Sequence, residues 1–452
     1  VNKVKLGEAH NLSEGDTLYL GACTKGSTAE SSLRDQPFST LKAPQRAFCF
    51  KNSYVNSIIS EILLEREGIK EKHINLLSEM DNTLDFTESK LKRRLKSLVA
   101  KPHQPFFIGG ILVAVYSMLV TVFGLMGDLN IDVRVFHISN IALLMPTYLF
   151  FGFLTTVLYR FLLSMPFSQT EYMRIFYTLT VGTVIVQIGF FVSSALLFLG
   201  YIVVFGAQLY GVYIYAKKYR ESSVIHKSDP FWMLFCFSFG PLASALFALS
   251  IFFPQISTIA ENIAFYPFAV GVVFAVAQKM VLNFYAIYFS VSDQNKRGYI
   301  TGNIASAIVL LALSRSLSLS WLTALAGVWI FCFAAKLIFD NRFILKKAPP
   351  ILSILAVGWF WFFAGAALVA LSGITGDVAL YMAGVHSFGV GFIGTMMIGF
   401  ASRVALGHSN NKIEADRITV ILFVLFELVV AIRLFGVLEP SFAVIAGFLW
   451  SA

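Results

Sequence analysis

The stretch Pro105-Phe106-Phe107-Ile108-Gly109-Gly110-Ile111-Leu112-Val113-Ala114-Val115-Tyr116-Ser117-Met118-Leu119-Val120-Thr121-Val122-Phe123-Gly124-Leu125 decides the fold. It carries no charged side chain over about the 20 residues that an α-helix needs to cross the hydrocarbon core of a bilayer. Lipid offers no partner to a backbone polar group, so a spanning segment is either a helix or a strand of a closed barrel. Barrel strands alternate apolar and polar residues over about ten positions. This run is longer and does not alternate, so it reads as a membrane helix.

Working outward, the same reading recurs to the end of the chain. After the first span, near 105 to 127, further apolar runs lie near 136 to 158, 174 to 194, 196 to 216, 231 to 254, 265 to 289, 301 to 315, 317 to 339, 351 to 371, 378 to 401 and 418 to 437. A twelfth begins after Pro440 and is cut off at Ala452, and with a Val at position 1 the chain reads as a fragment at both ends. The expected fold class is all-α, a polytopic transmembrane helix bundle. Composition agrees: charged residues are 13% of the 452 residues, about half the usual share of roughly 25%. Hydrophobic residues at 57% exclude a disordered chain, and no sustained heptads point to a coiled coil. The four cysteines are scattered, Cys23 and Cys49 in the polar head and Cys236 and Cys332 in apolar runs, which is neither a disulfide framework nor a paired metal motif.

Lysine and arginine fix the expected orientation. Lys90, Lys92, Arg93, Arg94, Lys96 and Lys101 crowd against the first span. Every second loop after it is basic, with Arg160 and Arg174, then Lys217, Lys218, Arg220 and Lys227, then Lys296 and Arg297, then Arg342, Lys346 and Lys347, then Arg403, Lys412 and Arg417. The alternate loops carry only Arg134, Arg315 and Arg433, a tally of roughly 14 against 3. The positive-inside rule therefore puts the amino-terminal head in the cytoplasm and the bundle in a membrane as a multi-pass protein. The net charge of +9 follows from this topology, so the membrane part needs no nucleic-acid partner to explain it.

A period of about 120 residues runs through the bundle. Gln104-Pro105-Phe106, Asp229-Pro230-Phe231 and Pro349-Pro350-Ile351 each open a span, and the next span of each set carries a glycine, Gly152, Gly271 and Gly391. This is the pattern of three parallel four-helix repeats. Proline is also common at helix starts and glycine in membrane helices, so both readings stand at this point.

Five histidines lie in or beside the bundle. His137 opens the second span at the outer face, and His386 lies about two turns inside the outer end of the tenth; His103 and His408 lie at the inner edge, and His226 in a loop. One pair near each face results. Neutral imidazole is a common metal ligand and an axial ligand of haem iron, while an interhelical hydrogen bond is its other use in bundles. Lys279 and Glu427 sit near midspan, where a charge marks a functional site or a buried pair. They could pair with each other or serve as a proton relay or substrate site, and with twelve spans and repeats they are compatible with a secondary transporter. No HExxH, CxxCH, P-loop or nucleophile elbow is present, so no catalytic motif is complete.

The stretch from His386 to His408, His-Ser-Phe-Gly-Val-Gly-Phe-Ile-Gly-Thr-Met-Met-Ile-Gly-Phe-Ala-Ser-Arg-Val-Ala-Leu-Gly-His, resembles the NnrS family. Lys101-Pro102-His103-Gln104-Pro105-Phe106-Phe107 and Phe151-Gly152-Phe153-Leu154-Thr155-Thr156-Val157 add to the likeness, which covers residues 102–452. The resemblance implies a twelve-helix protein of the bacterial inner membrane that binds haem and copper and serves the response to nitric oxide. It implies His386, His408, His103 and His137 as metal ligands, with Arg403, Lys279 and Arg160 as cations toward the cofactor, and nitric oxide or a related small molecule as ligand. The chain departs from the family at the second span, where the expected His-x-His pair is replaced by the single His137 in Phe136-His137-Ile138-Ser139-Asn140. Met396 and Met397 are soft donors suited to copper and equally ordinary core residues.

Residues 1–60 carry a second likeness. Leu12-Ser13-Glu14-Gly15-Asp16-Thr17-Leu18-Tyr19-Leu20-Gly21-Ala22-Cys23-Thr24-Lys25-Gly26, Gln36-Pro37-Phe38 and Arg46-Ala47-Phe48-Cys49-Phe50-Lys51-Asn52-Ser53-Tyr54 resemble the carboxy-terminal end of MutH-like nucleases and GATC-cleaving restriction enzymes. Such enzymes hold their metal with an Asp and a Glu-x-Lys, because phosphodiester cleavage needs a metal-activated water. No Glu-x-Lys stands in the first sixty residues, so the head is expected to be an inactive remnant in which Lys25, Arg34, Arg46 and Lys51 retain only phosphate contacts. Residues 61–101 read as a charged helical connector.

Overall fold

A computed structural model describes residues 101–127, 129, 131–224, 227–286, 294–341, 350–408, 416–437, 445, 446 and 449; the side chains of 160, 282–286, 294–297, 341, 351, 401 and 403–408 lie outside the described set. The expected head, its connector up to residue 100, most of the twelfth span and His226 also fall outside the described residues. Among the described residues, eleven helices are long and apolar enough to cross a membrane: α1 His103–Leu125, α2 Val133–Tyr159, α3 Gln169–Val192, α4 Ser194–Arg220, α5 Ser228–Ser250, α6 Pro254–Val281, α7 Gly298–Ser316, α8 Ser320–Asp340, α9 Leu352–Thr375, α10 Val378–Phe400 and α11 Arg417–Phe435. No strand occurs among the described residues. The all-α membrane bundle read from the sequence is therefore the fold.

Local chemistry starts these helices. The Asp132 carboxylate accepts from the Val135 amide at 3.1 Å and caps α2, and Asp377 accepts from Ala379 at 2.7 Å and caps α10. Ser168 and Glu171 form a reciprocal capping box at α3, which carries that helix five residues upstream of the apolar run. Helix α6 opens at Pro254, well before the expected start near 265. The intervening Ser257-Thr258-Ile259-Ala260-Glu261-Asn262 looks like a loop by polarity alone, but its polar groups are met inside the bundle: Glu261 by Arg134 and Asn262 by Ser316.

Three π-helical segments interrupt α2, α6 and α10, at Ser139–Leu144, Ala264–Val270 and Ser387–Gly394. They begin 125 and 123 residues apart, and the helices that precede them open at His103, Ser228 and Pro350. Each four-helix repeat thus places one π-bulged helix second, and this is the strongest structural mark of the repeat. A π-turn leaves backbone carbonyls short of donors. In the first repeat the Ser139 hydroxyl and the Asn140 amide both donate to the Phe136 carbonyl, at 3.1 and 2.9 Å. In the second, Pro267 inside the segment has no N–H to give in any case.

The bulged helices form the centre. In their apolar windows 83% of α2, 89% of α6 and 56% of α10 residues are buried, against 11% for α11. The π-segment of α6 packs against those of both α2 and α10, and rings interlock between them, with Phe150 edge-on to Phe268 at 5.3 Å and Tyr266 edge-on to Phe388 at 6.4 Å. Gly152, Gly271 and Gly391 stand at different offsets from the π-segments, so they are not equivalent by register. They share a purpose, because a Cβ would strike the first helix of the same repeat: Phe107 at 2.7 Å, Cys236 at 3.0 Å and Trp361 at 2.6 Å. Large apolar side chains such as Leu112, Tyr213, Trp321 and Ile418 remain exposed on the outer helices, which is the surface that lipid covers.

Candidate functional site at the helix α2 and α10 bulges

Both histidines expected at the same face sit where an α-helix passes into a π-segment. His137 lies two residues before Ser139, and His386 immediately precedes Ser387. In the second repeat this place belongs to Asn262 and Ile263. Three packed helices carry the group: the bulges of α2 and α10, beside which His137 and His386 stand, both pack on the bulge of α6, and α11, with Arg433 in its last turn, packs against α10.

The two imidazoles are oriented alike. His386 holds the Met382 carbonyl with Nδ1 at 2.7 Å, the carbonyl one turn back on its own helix, so Nδ1 carries the proton and donates. His137 Nδ1 meets the Thr121 hydroxyl of α1 at 3.3 Å. Among the described residues nothing bonds Nε2 of either ring. An imidazole pinned through Nδ1 with Nε2 free is how a protein prepares a metal ligand. Two side chains do not enclose a bare metal ion, however, and among the described residues no three His, Cys, Asp or Glu side chains converge to do so. A pair of axial imidazoles suits a metal whose remaining donors come with it, as in haem.

Around this pair the charges are matched. Arg134 pairs with the buried Glu261 at 3.1 Å. Arg315 stacks 3.7 Å above the Tyr381 ring, whose hydroxyl accepts from Tyr266 at 3.0 Å. Arg433 is the exception: half-buried, it has no hydrogen bond or ion pair among the described residues.

The other expected site residues fall elsewhere. His103 is buried at the opposite end of α1, beside Phe107 at 5.6 Å, and the side chains of His408, Arg403 and Arg160 lie outside the described set. Lys279 and Glu427, which could have paired with each other, do not. Lys279 reaches Asp229 at 3.0 Å, and Glu427 accepts from Trp361 Nε1 and the Thr395 hydroxyl, each at 2.7 Å. The correction has a physical cause: Asp229 in the first turn of α5 lies beside α6, which hides a charge that sequence alone leaves solvated. Because both members are mostly buried, Lys279→Met is expected to cost about 2–4 kcal/mol by stranding Asp229. Lys279→Met with Asp229→Asn should recover most of it in a detergent melting series. Met396 packs over Gly358, with its Cε 2.9 Å from where a Cβ would stand, so it is a core residue.

Arg433 and Thr121 were not legible as site residues. Arg433 counted only as one of three sparse outer charges at a helix end, and Thr121 as one more small residue in an apolar run.

Known proteins give the frame for this site. At the amino-terminal end the chain is 56% identical over 63 residues to the type II restriction enzyme Sau3AI of Staphylococcus aureus, a stretch that is 14% of this chain and 13% of that enzyme. The chain thus spans about 13% of the enzyme's length, a restriction-endonuclease-like fragment. The family model described as NnrS protein matches residues 97–452, which takes in all eleven helices, both bulge histidines and Arg433, and the chain belongs to the NnrS family.

Proposed function

We propose that the bundle binds haem through His137 and His386 and serves the bacterial response to nitric oxide from the inner membrane. The observation that carries this reading is the matched pair of imidazoles at two π-bulges, each held through Nδ1 with Nε2 free. Haem, when bound, supplies a redox-active iron that takes diatomic gases as ligands. The chain's own contribution is orientation and burial. The Met382 carbonyl fixes the tautomer of His386, and the Thr121 hydroxyl restrains the ring of His137. Copper, the second metal implied by the family resemblance, would have His103 and His408 as its candidate histidines.

By the positive-inside rule the amino terminus is cytoplasmic and the His137 and His386 pair faces the outer side. The amino-terminal fragment lacks a Glu-x-Lys in its first sixty residues and is read as an inactive remnant. The deciding experiment is an optical spectrum of the purified chain with and without nitric oxide. A Soret band that shifts on adding the gas is expected; a protein expressed with ample haem that shows no Soret absorption would sink the proposal, and GATC cleavage by the chain would sink the view of the head.

A further inference from the structure

We infer that Arg433 is the receptor for an anionic carboxylate of the ligand held between His137 and His386. The inference rests on the haem reading above and adds a residue and a recognition chemistry to it. Arg433 stands in the last turn of α11, a helix only 11% buried in its apolar window that packs against α10 on both sides of His386, and its side chain is half-buried with no hydrogen bond or ion pair among the described residues. A guanidinium withdrawn from water is costly unless an anion meets it. Among the described residues, the carboxylates of Glu261 and Glu427 are already engaged, Glu261 by Arg134 and Glu427, on the same helix as Arg433, by Trp361 and Thr395. Arg315, the other nearby cation, lies over the Tyr381 ring. Arg433 is therefore the free positive charge among the described residues of this site, and the anion that completes it must arrive with the ligand.

Haem suits that requirement, since its macrocycle bears carboxylates on one edge while its two faces take the imidazoles. Arginine's planar fork matches a carboxylate better than a lysine point charge does. Arg433 is then a binding residue that selects an acidic macrocycle over a neutral one.

The test uses the full chain in zwitterionic detergent, purified haem-free from haem-limited cells, and titrates it with haem and with haem dimethyl ester, whose carboxylates are masked. Wild type should take haem about 10- to 100-fold tighter than the diester, the size of a charge-assisted contact. Arg433→Gln should lose that preference, with haem falling to the level of the diester and diester affinity unchanged. Arg433→Lys should recover part of it. Equal haem affinity in wild type and Arg433→Gln would overturn the inference. So would equal weakening of haem and diester, which would mean that the guanidinium serves another anion such as a lipid phosphate, or the packing alone. If wild type binds neither compound, the haem reading itself fails and the inference falls with it.

Discussion

His386→Ala is expected to strip the purified protein of its low-spin haem spectrum, with affinity for added haem falling by more than about 100-fold. Partners that merely orient a metal ligand are worth about 10- to 100-fold, and removing the ligand itself must exceed that. The cause is local. His386 sits at the last α-helical position before the π-segment, held by the Met382 carbonyl, and among the described residues no other side chain on α10 near it offers a nitrogen donor. His137→Ala should act comparably, as the opposite axial ligand. Thr121→Val should act in the same direction and more weakly, because it removes only the hydroxyl that meets Nδ1 of His137. Asn262→Ala, at the matching place in the second repeat, is bonded to Ser316 and should leave the spectrum intact. A full Soret band in His386→Ala would refute the assignment of the site. Imidazole added to that variant should restore part of the band if the side chain acts as a ligand and not as packing.

Much of this was legible in the sequence, for reasons that differ from residue to residue. Apolar runs of membrane length have one structural solution, so eleven spans could be placed within a few residues wherever the run itself set the boundary. The start of α6 failed that rule because Glu261 and Asn262 are satisfied by Arg134 and Ser316, residues far away in sequence. The proline entries did announce the repeat, while the glycines marked close helix pairs without marking register. The π-segments left no trace in composition: one is rich in Gly, one holds Pro267, and one uses Ser139 and Asn140. The pairing of His137 with His386 was visible as a shared depth. The half-burial of Arg433 and the union of Lys279 with Asp229 were not, because both depend on which helices become neighbours.

The second large effect should come from a residue with no polar chemistry. Helices α9 and α10 cross at Gly365 and Gly384, two residues before His386. A Cβ on Gly384 would stand 2.7 Å from Val369 Cγ2, 3.1 Å from the Gly365 carbonyl oxygen and 3.2 Å from the Val369 amide nitrogen. Two of those neighbours are backbone and cannot rotate away. On the other side, a Cβ on Gly365 would lie 3.1 Å from the Phe388 ring, which is itself fully buried in the central cluster. Gly384→Val must therefore push α10 off α9, at an expected cost of about 1–3 kcal/mol. The displaced segment carries His386, so the melting point in detergent and the Soret intensity should fall together. Gly206→Ala supplies the control: a Cβ there meets nothing within 4 Å, and replacing a helical Gly by Ala gains up to about 1 kcal/mol. That variant should be as stable as wild type or slightly more so, with its haem unchanged. If Gly384→Val melted with wild type and kept its full spectrum, the close crossing of α9 and α10 would not be what positions His386.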